Sequence, residues 1–143
     1  MVTLFPEAFD SYLSSSIIGR AIRQKHIQVK FYNPRDFVKP NKKSDAPYIK
    51  VDGRPYGGGP GMVLAPEPML KAAEKALKKA GKNGTSATTL FFSPSGKDFD
   101  SKMAKALAKK KHILMIAGHY EGVDARVQKI LKAKKVTMGP YVL

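Results

Sequence analysis

Two short, nearly unbroken apolar runs, Thr88-Thr-Leu-Phe-Phe92 and Ile113-Leu-Met-Ile-Ala117, limit what this chain can fold into more than any other feature. A strand with one wet face alternates apolar and polar side chains. A run that is apolar throughout needs cover on both faces, as the strands of a parallel sheet have. Between the two runs, Phe99, Met103, Ala106 and Leu107 recur at helical spacing within residues 98–110. Strand, helix, strand in that order predicts a crossover unit joining parallel strands.

The flanking sequence extends the plan. Val2 to Phe5 is a short apolar run stopped by Pro6, and Asp10 stands as a candidate helix cap ahead of Leu13, Ile17, Ala21 and Ile22. Ile27-Gln-Val-Lys-Phe-Tyr32 alternates and predicts a strand with one covered face, ended by Asn33-Pro34. Residues 33–61 read as a long irregular stretch, with Tyr48-Ile-Lys-Val51 as a short extended piece. Pro66 opens a helix with Met69, Leu70, Ala73, Leu77 and Ala80 on one stripe, Glu67/Lys71 and Glu74/Lys78 on the wet side, and Gly81 as its stop. Val123, Val127, Ile130 and Leu131 mark a last helix before a strand from Lys135 to Met138. The expected architecture is one α/β domain over residues 1–143, a mainly parallel sheet between helices.

No cysteine is present, and His26, His112 and His119 lack metal-ligand spacing, so neither disulfides nor a metal site is expected. No apolar stretch is long enough to cross a bilayer, and Pro6 and Glu7 interrupt any leader-like start, so a cytoplasmic protein with no membrane association is expected. Twenty-six Lys and Arg against 11 Asp and Glu give a formal charge of +15, which suits a polyanionic partner. Part of that excess also fits solvated helix faces, as in residues 102–111.

In an open α/β sheet, ligands collect beyond the carboxyl ends of the strands. Three turns sit there: Ser93-Pro-Ser-Gly96, Gly118-His-Tyr-Glu-Gly122 and Gly139-Pro-Tyr-Val-Leu143. There is no Gly-x-Gly-x-x-Gly opening a helix and no Gly-Lys-Ser/Thr, so the dinucleotide and P-loop phosphate cradles are missing. Arg54-Pro-Tyr-Gly-Gly-Gly-Pro-Gly-Met62 is too rich in Arg, Tyr and Pro to be a flexible linker. Its glycines allow tight curvature or close approach, Arg54 offers a phosphate contact and Tyr56 a stacking face, a composition suited to an extruded nucleotide or to a buttressed surface crossover.

Taken in order, the residue 54–62 loop, Ser93-Pro-x-Gly96, Gly118-x-Tyr-Glu-Gly-x-Asp-x-Arg-Val127 and Gly139-x-Tyr-Val-Leu143 closely resemble the bacterial tRNA (guanine-N1)-methyltransferases, the TrmD family. Leu4-Phe-Pro-Glu-x-Phe9 and Pro34-Arg-Asp-Phe37 extend the resemblance along the chain. It implies a SPOUT-class domain with a trefoil knot near its carboxyl end, a homodimer, and methyl transfer from S-adenosylmethionine to N1 of the guanosine at tRNA position 37, 3′ of the anticodon. By the same resemblance Ser93, Pro94, Gly118, Met138, Gly139, Pro140, Tyr141, Val142 and Leu143 hold the cofactor. Asp52, Arg54, Tyr56, Gly58, Gly59, Pro60, Gly61, Tyr120 and Glu121 face the tRNA.

Guanine N1 carries a proton at neutral pH, so methylation there needs a base, and charge developing on O6 needs a donor or cation. The family pattern places both groups in a linker after a Gly-Gly-Glu-Leu-Pro segment, ahead of a helical tRNA-binding domain. Those segments are not in this sequence, so no catalytic residue is assigned, and a relative that binds cofactor or RNA without turnover is the alternative. The chain departs from the pattern at Gly53, where an acid is usual, at His119, where Arg is usual, and at Pro140, where Asp is usual. Pro140 removes a backbone donor from the cofactor turn.

Overall fold

The computed structural model describes residues 1–39, 49–80 and 87–141. Tyr48, Gly81, Val142 and Leu143, named above, lie outside them. The described chain is a mixed α/β unit. A 3₁₀ turn at Pro6–Phe9 leads into helices α1 (Asp10–Ser14) and α2 (Ser16–Arg23), and a second 3₁₀ turn covers Pro34–Phe37. A hairpin of β1 (Asp52–Gly53) and β2 (Val63–Leu64) precedes α3 (Pro66–Lys79). Then come β3 (Ala87–Asp98), α4 (Ser101–Ala108), β4 (His112–Ile116), α5 (Ala125–Ile130) and β5 (Lys134–Thr137).

The expected crossover is present. β3 and β4 are parallel, α4 lies between them in sequence, and β5 joins parallel on the other side of β3, giving the order β4-β3-β5. Val2 adds parallel bridges to Ile116 and to Tyr32, so the sheet continues past β4 through the amino-terminal segment. Val2, Leu4, Phe91, Leu114 and Ile116 from the sheet meet Leu64, Met69, Ala72, Ala73 and Val127 in one core.

Several local expectations change. The apolar start forms a bridge at Val2, and Ile27–Tyr32 contributes only Tyr32 to the sheet; Ile27 and Val29 remain 44% and 37% exposed. The single helix expected after Asp10 is two. Asp10 already has helical angles (φ −61°, ψ −47°) and caps nothing, because the 3₁₀ turn before it has started the coil and an N-cap needs an extended backbone. The helix breaks at Ser15 (φ −96°, ψ 154°), where the Ser14 and Ser15 hydroxyls bond back to the Ser11 carbonyl and compete with the helix ladder. The break turns Ile17 outward, to 70% exposure.

α3 keeps its stripe, with Pro68 and Ala72 buried beside the expected Met69 and Ala73, and both ion pairs form at 2.7 Å. Ser93–Gly96 is not a terminal turn. It bulges within β3, which pairs with Val136 through Phe92 and again through Lys97. The helix expected over residues 98–110 is confined to Ser101–Ala108, because Asp100 takes the cap by accepting the Met103 N–H at 2.6 Å.

Candidate functional site

Residues 54–62 connect the two strands of the β1–β2 hairpin, whose register pairs Asp52 with Leu64 and Gly53 with Val63. Gly57, Gly58, Gly59 and Gly61 have φ of 89°, 85°, 109° and 85°, conformations that side-chain-bearing residues rarely adopt. No atom lies near the Cβ positions at residues 57–59, so backbone curvature, not close approach, explains those three. At Gly61 both reasons apply: a Cβ would strike the Glu121 side chain, whose Oε1 would lie 2.8 Å away.

That contact belongs to a wider junction. The Glu121 N–H donates to the Met62 carbonyl at 3.0 Å, Leu64 N–H to Gly122 at 2.9 Å, and Asp124 N–H to Leu64 at 3.1 Å. Leu64 and Val123 form a parallel bridge. Thus β2 is zipped along the segment that follows β4, and the glycine loop and Gly118–Gly122 motif become one site. Between them opens a cleft of about 700 Å³ lined by Arg54, Tyr56, Glu121, Asp124 and Arg126. That volume falls in the range, roughly 300–1,000 Å³, of small-molecule sites.

Within the cleft, Arg126 grips both oxygens of Asp124 at 2.9 and 2.8 Å, donates to Tyr56 Oη at 3.2 Å, and stands 5.4 Å from the Tyr56 ring centroid. The hydrogen bond from Arg126 holds the Asp124 carboxyl below its ordinary range; the same bond, with that to Tyr56, raises the guanidinium further above neutrality. Asp124 also caps α5 by accepting the Arg126 N–H at 2.9 Å. Helix-start contact and ion pairing are thus the fate of this carboxylate. The Glu121 side chain has no hydrogen bond or ion pair among the described residues and is the cleft's uncommitted acid. Arg126 was legible only as part of Asp-x-Arg; its reach to Tyr56 joins residues 70 apart in the chain.

His119 is packed, not a loose turn residue. Its ring meets Phe5 edge-on at 4.8 Å and Tyr120 at 4.7 Å, while Arg35 lies over Phe5 at 5.2 Å. Tyr120 itself sits at φ 60°, an uncommon angle for a residue with a side chain.

Of the residues expected to hold a cofactor, the described ones follow or interrupt three neighbouring strands. Gly118 follows β4, Ser93 and Pro94 lie in the β3 bulge, and Met138–Tyr141 follow β5. Gly96 lets the bulge press on β5, since a Cβ there would stand 2.6 Å from Val136 Cα. Thr137 Oγ1 donates to the Gly139 carbonyl at 2.6 Å and accepts from its N–H at 3.1 Å, and Tyr141 Oη donates to the Met138 carbonyl at 3.1 Å. Residues 118–124 connect this group to the Tyr56 cleft, Gly118 at one end and Glu121 and Asp124 at the other. Among the described residues no cluster of metal-ligating side chains occurs, and no helix is long and apolar enough to cross a membrane.

The family model described as tRNA (Guanine-1)-methyltransferase TrmD matches residues 1–143. A tRNA (guanine-N(1)-)-methyltransferase of Clostridioides difficile is 37% identical over 143 residues, covering all of this chain and 58% of the relative. The Moorella thermoacetica protein of the same description is 40% identical over the whole chain and 54% of its own length. That of Dictyoglomus turgidum is 41% identical over the whole chain and 53% of its own length. The chain therefore spans about half the length of these relatives.

Proposed function

The chain belongs to the TrmD family of tRNA (guanine-1)-methyltransferases, and from that premise we propose that it transfers a methyl group from S-adenosylmethionine to N1 of the guanosine at tRNA position 37, 3′ of the anticodon. The observation that carries this is the zipping of β2 onto residues 121–124, which sets Tyr56, Arg54 and the uncommitted Glu121 around one cleft. Tyr56 is 87% exposed and offers a ring face to an unstacked base, as single-stranded RNA recognition requires. Glu121, ionised, is acceptor-only, and the N1–H and N2–H of guanine are donors on the edge that must be read. Arg54 is exposed at the cleft margin and suits the backbone phosphate beside that base. Asp52, Gly58, Gly59, Pro60, Gly61 and Tyr120, which neighbour the cleft in sequence but do not line it, belong to the same proposed tRNA-facing side.

S-adenosylmethionine, when bound, supplies an electrophilic methyl group. Ser93, Pro94, Gly118 and Met138–Leu143 would hold it. The fit rests on the described residues among them: Gly118 and Met138–Tyr141 follow β4 and β5, the two neighbours of β3, and Ser93 and Pro94 lie in the β3 bulge; Met138 and Tyr141 are 57% and 53% exposed, and the Ser93 and Ser95 hydroxyls lie 3.1 Å apart. Those groups offer apolar and aromatic faces for an adenine and polar atoms for its substituents. A SPOUT knot, a homodimer and a cytoplasmic location belong to the same proposal. Ile17 and Ile130, 70% and 62% exposed, are apolar positions that a partner subunit would cover.

A second mode, cofactor or RNA binding without turnover, is favoured by one observation: Asp124 is committed to Arg126, which leaves Glu121 as the cleft's only free carboxylate among the described residues. The test of both is incubation with labelled S-adenosylmethionine and unmodified tRNA, beside the same tRNA with the target guanosine changed to adenosine. Label confined to the guanosine substrate supports the enzyme. Equal labelling of the two RNAs would end the assigned specificity, and calorimetric cofactor binding without label transfer would establish the second mode.

A further inference from the structure

We propose that a second basic cleft, at the opposite end of α3 from the Tyr56 site, docks backbone phosphates of the RNA. This rests on the tRNA reading above. The cleft, about 320 Å³, is lined by Lys30, Lys75 and Lys79 over the rings of Phe31, Tyr32 and Phe37.

The charges of α3 divide in a way that needs explaining. Lys71 and Lys78 are neutralised by Glu67 and Glu74 at 2.7 Å. Lys75 and Lys79, four residues apart on another stripe, pair with no carboxylate among the described residues and both line the cleft. Like charges at that spacing oppose a helix, a cost set against the favourable place of Lys79 in the last turn of α3. Lys30 adds a third charge from the segment that Tyr32 ties to the sheet through its bridge to Val2. The Lys75 ammonium sits 5.4 Å from the Phe37 ring centroid, which orders it without neutralising it. Among the described residues Asp36 is the cleft's one acid, and it bonds to none of the three lysines.

The chemistry selects phosphate over base. Ammonium groups are compact point charges without the planar fork that reads a base edge or grips a carboxylate bidentately. Phe31, Tyr32 and Phe37 are half-buried in the floor, in contrast to the 87% exposed ring of Tyr56. Such a surface positions RNA without reading its sequence. Pro66, at the other end of α3, lines the Tyr56 cleft. Lys75 is therefore roughly 13 Å further along the helix axis and about two and a half turns round it, so an RNA that touches both clefts wraps α3 rather than lying along one face.

The test compares two triple variants of equal net charge. One is Lys30→Gln/Lys75→Gln/Lys79→Gln; the other, Lys102→Gln/Lys105→Gln/Lys109→Gln, removes exposed lysines on and just after α4. Affinity for unmodified tRNA is followed by fluorescence anisotropy from 50 to 200 mM salt, with thermal melting to show that all three proteins are folded. The first triple should lose on the order of 10- to 100-fold in affinity near 0.1 M salt, equally for guanosine and adenosine at the target position. Its log–log salt slope should fall by about two to three. The second triple should change both far less. Equal losses in the two triples, or an unchanged slope in the first, would overturn the proposal while leaving the Tyr56 reading standing. Lysine-dependent binding to phosphatidylserine vesicles, with tRNA affinity unaffected by the first triple, would overturn it in favour of a membrane surface. A wild-type chain with no tRNA affinity would overturn both.

Discussion

Arg126 donates to Tyr56 Oη across 3.2 Å while its Nε and a terminal nitrogen hold the two carboxylate oxygens of Asp124. A guanidinium held in a bidentate fork has its remaining donors aimed, so the tyrosine it meets loses rotational freedom. The glycine loop, with no Cβ contacts of its own at residues 57–59, gains an anchor to α5 through this bond.

Arg126→Ala should therefore loosen residues 55–60 more than it lowers global stability. Amide hydrogen exchange at Gly58, whose N–H is bonded to the Pro55 carbonyl at 3.2 Å, should speed up by roughly two- to five-fold, as expected for an exposed polar contact. Tyr56→Phe should do nearly the same alone and add little to Arg126→Ala. Fully additive effects would show that the two side chains act independently.

The same pair sets a pH dependence. Asp124 has its folded pKa lowered, chiefly by the hydrogen bond from Arg126, so the folded chain binds fewer protons there than the unfolded chain. Its stabilisation is present above the ordinary carboxylate value of 3.8 and is lost as pH falls through the lowered folded value. The Asp124 carboxyl resonance should titrate below 3.8, and Arg126→Lys should move that midpoint upward. A midpoint at or above the ordinary value would contradict the fork.

Gly61→Ala combines a φ of 85° with a methyl driven into Glu121. The left-handed backbone alone costs about 1–2 kcal/mol. Displacing Glu121 should weaken binding of a guanosine-containing anticodon stem-loop beyond that stability loss. An affinity unchanged in a folded Gly61→Ala protein would remove Glu121 from the recognition surface.

Gly96→Ala tests the β3 bulge. Here the obstruction is backbone, with Val136 N and Cα 2.5 and 2.6 Å from the added carbon, so no side chain can swing aside. Overpacking of this kind costs roughly 1–3 kcal/mol or more. A melting temperature lowered by several degrees is the expected result, and an unchanged one would mean that the bulge and β5 separate freely.

Much of this was legible in the chain. Thr88–Phe92 and Ile113–Ala117 became β3 and β4 because unbroken apolar runs have few other ways to be covered. The α3 stripe and its Glu/Lys pairs followed from helical spacing alone. The positions that resisted had competing local bonds. The serine hydroxyls divided the first helix, Asp100 claimed the cap that set the start of α4, and Ile27–Tyr32 met the sheet only at Tyr32. In the first two, hydrogen bonds absent from the hydrophobic pattern decided where regular structure ends.

By itself, then, the sequence determined the parallel crossover, the basic character, and the glycine run whose positive φ angles no other residue would hold cheaply. Only the tertiary structure decided that this run closes a hairpin and zips onto residues 121–124, that Arg126 joins Asp124 to Tyr56, and that Lys30 meets Lys75 and Lys79. The physical reason is range. Periodicity and turn chemistry act between near neighbours in the chain, whereas a cleft is made by backbone groups and charges whose partners are far away in sequence and are found only when the core has closed.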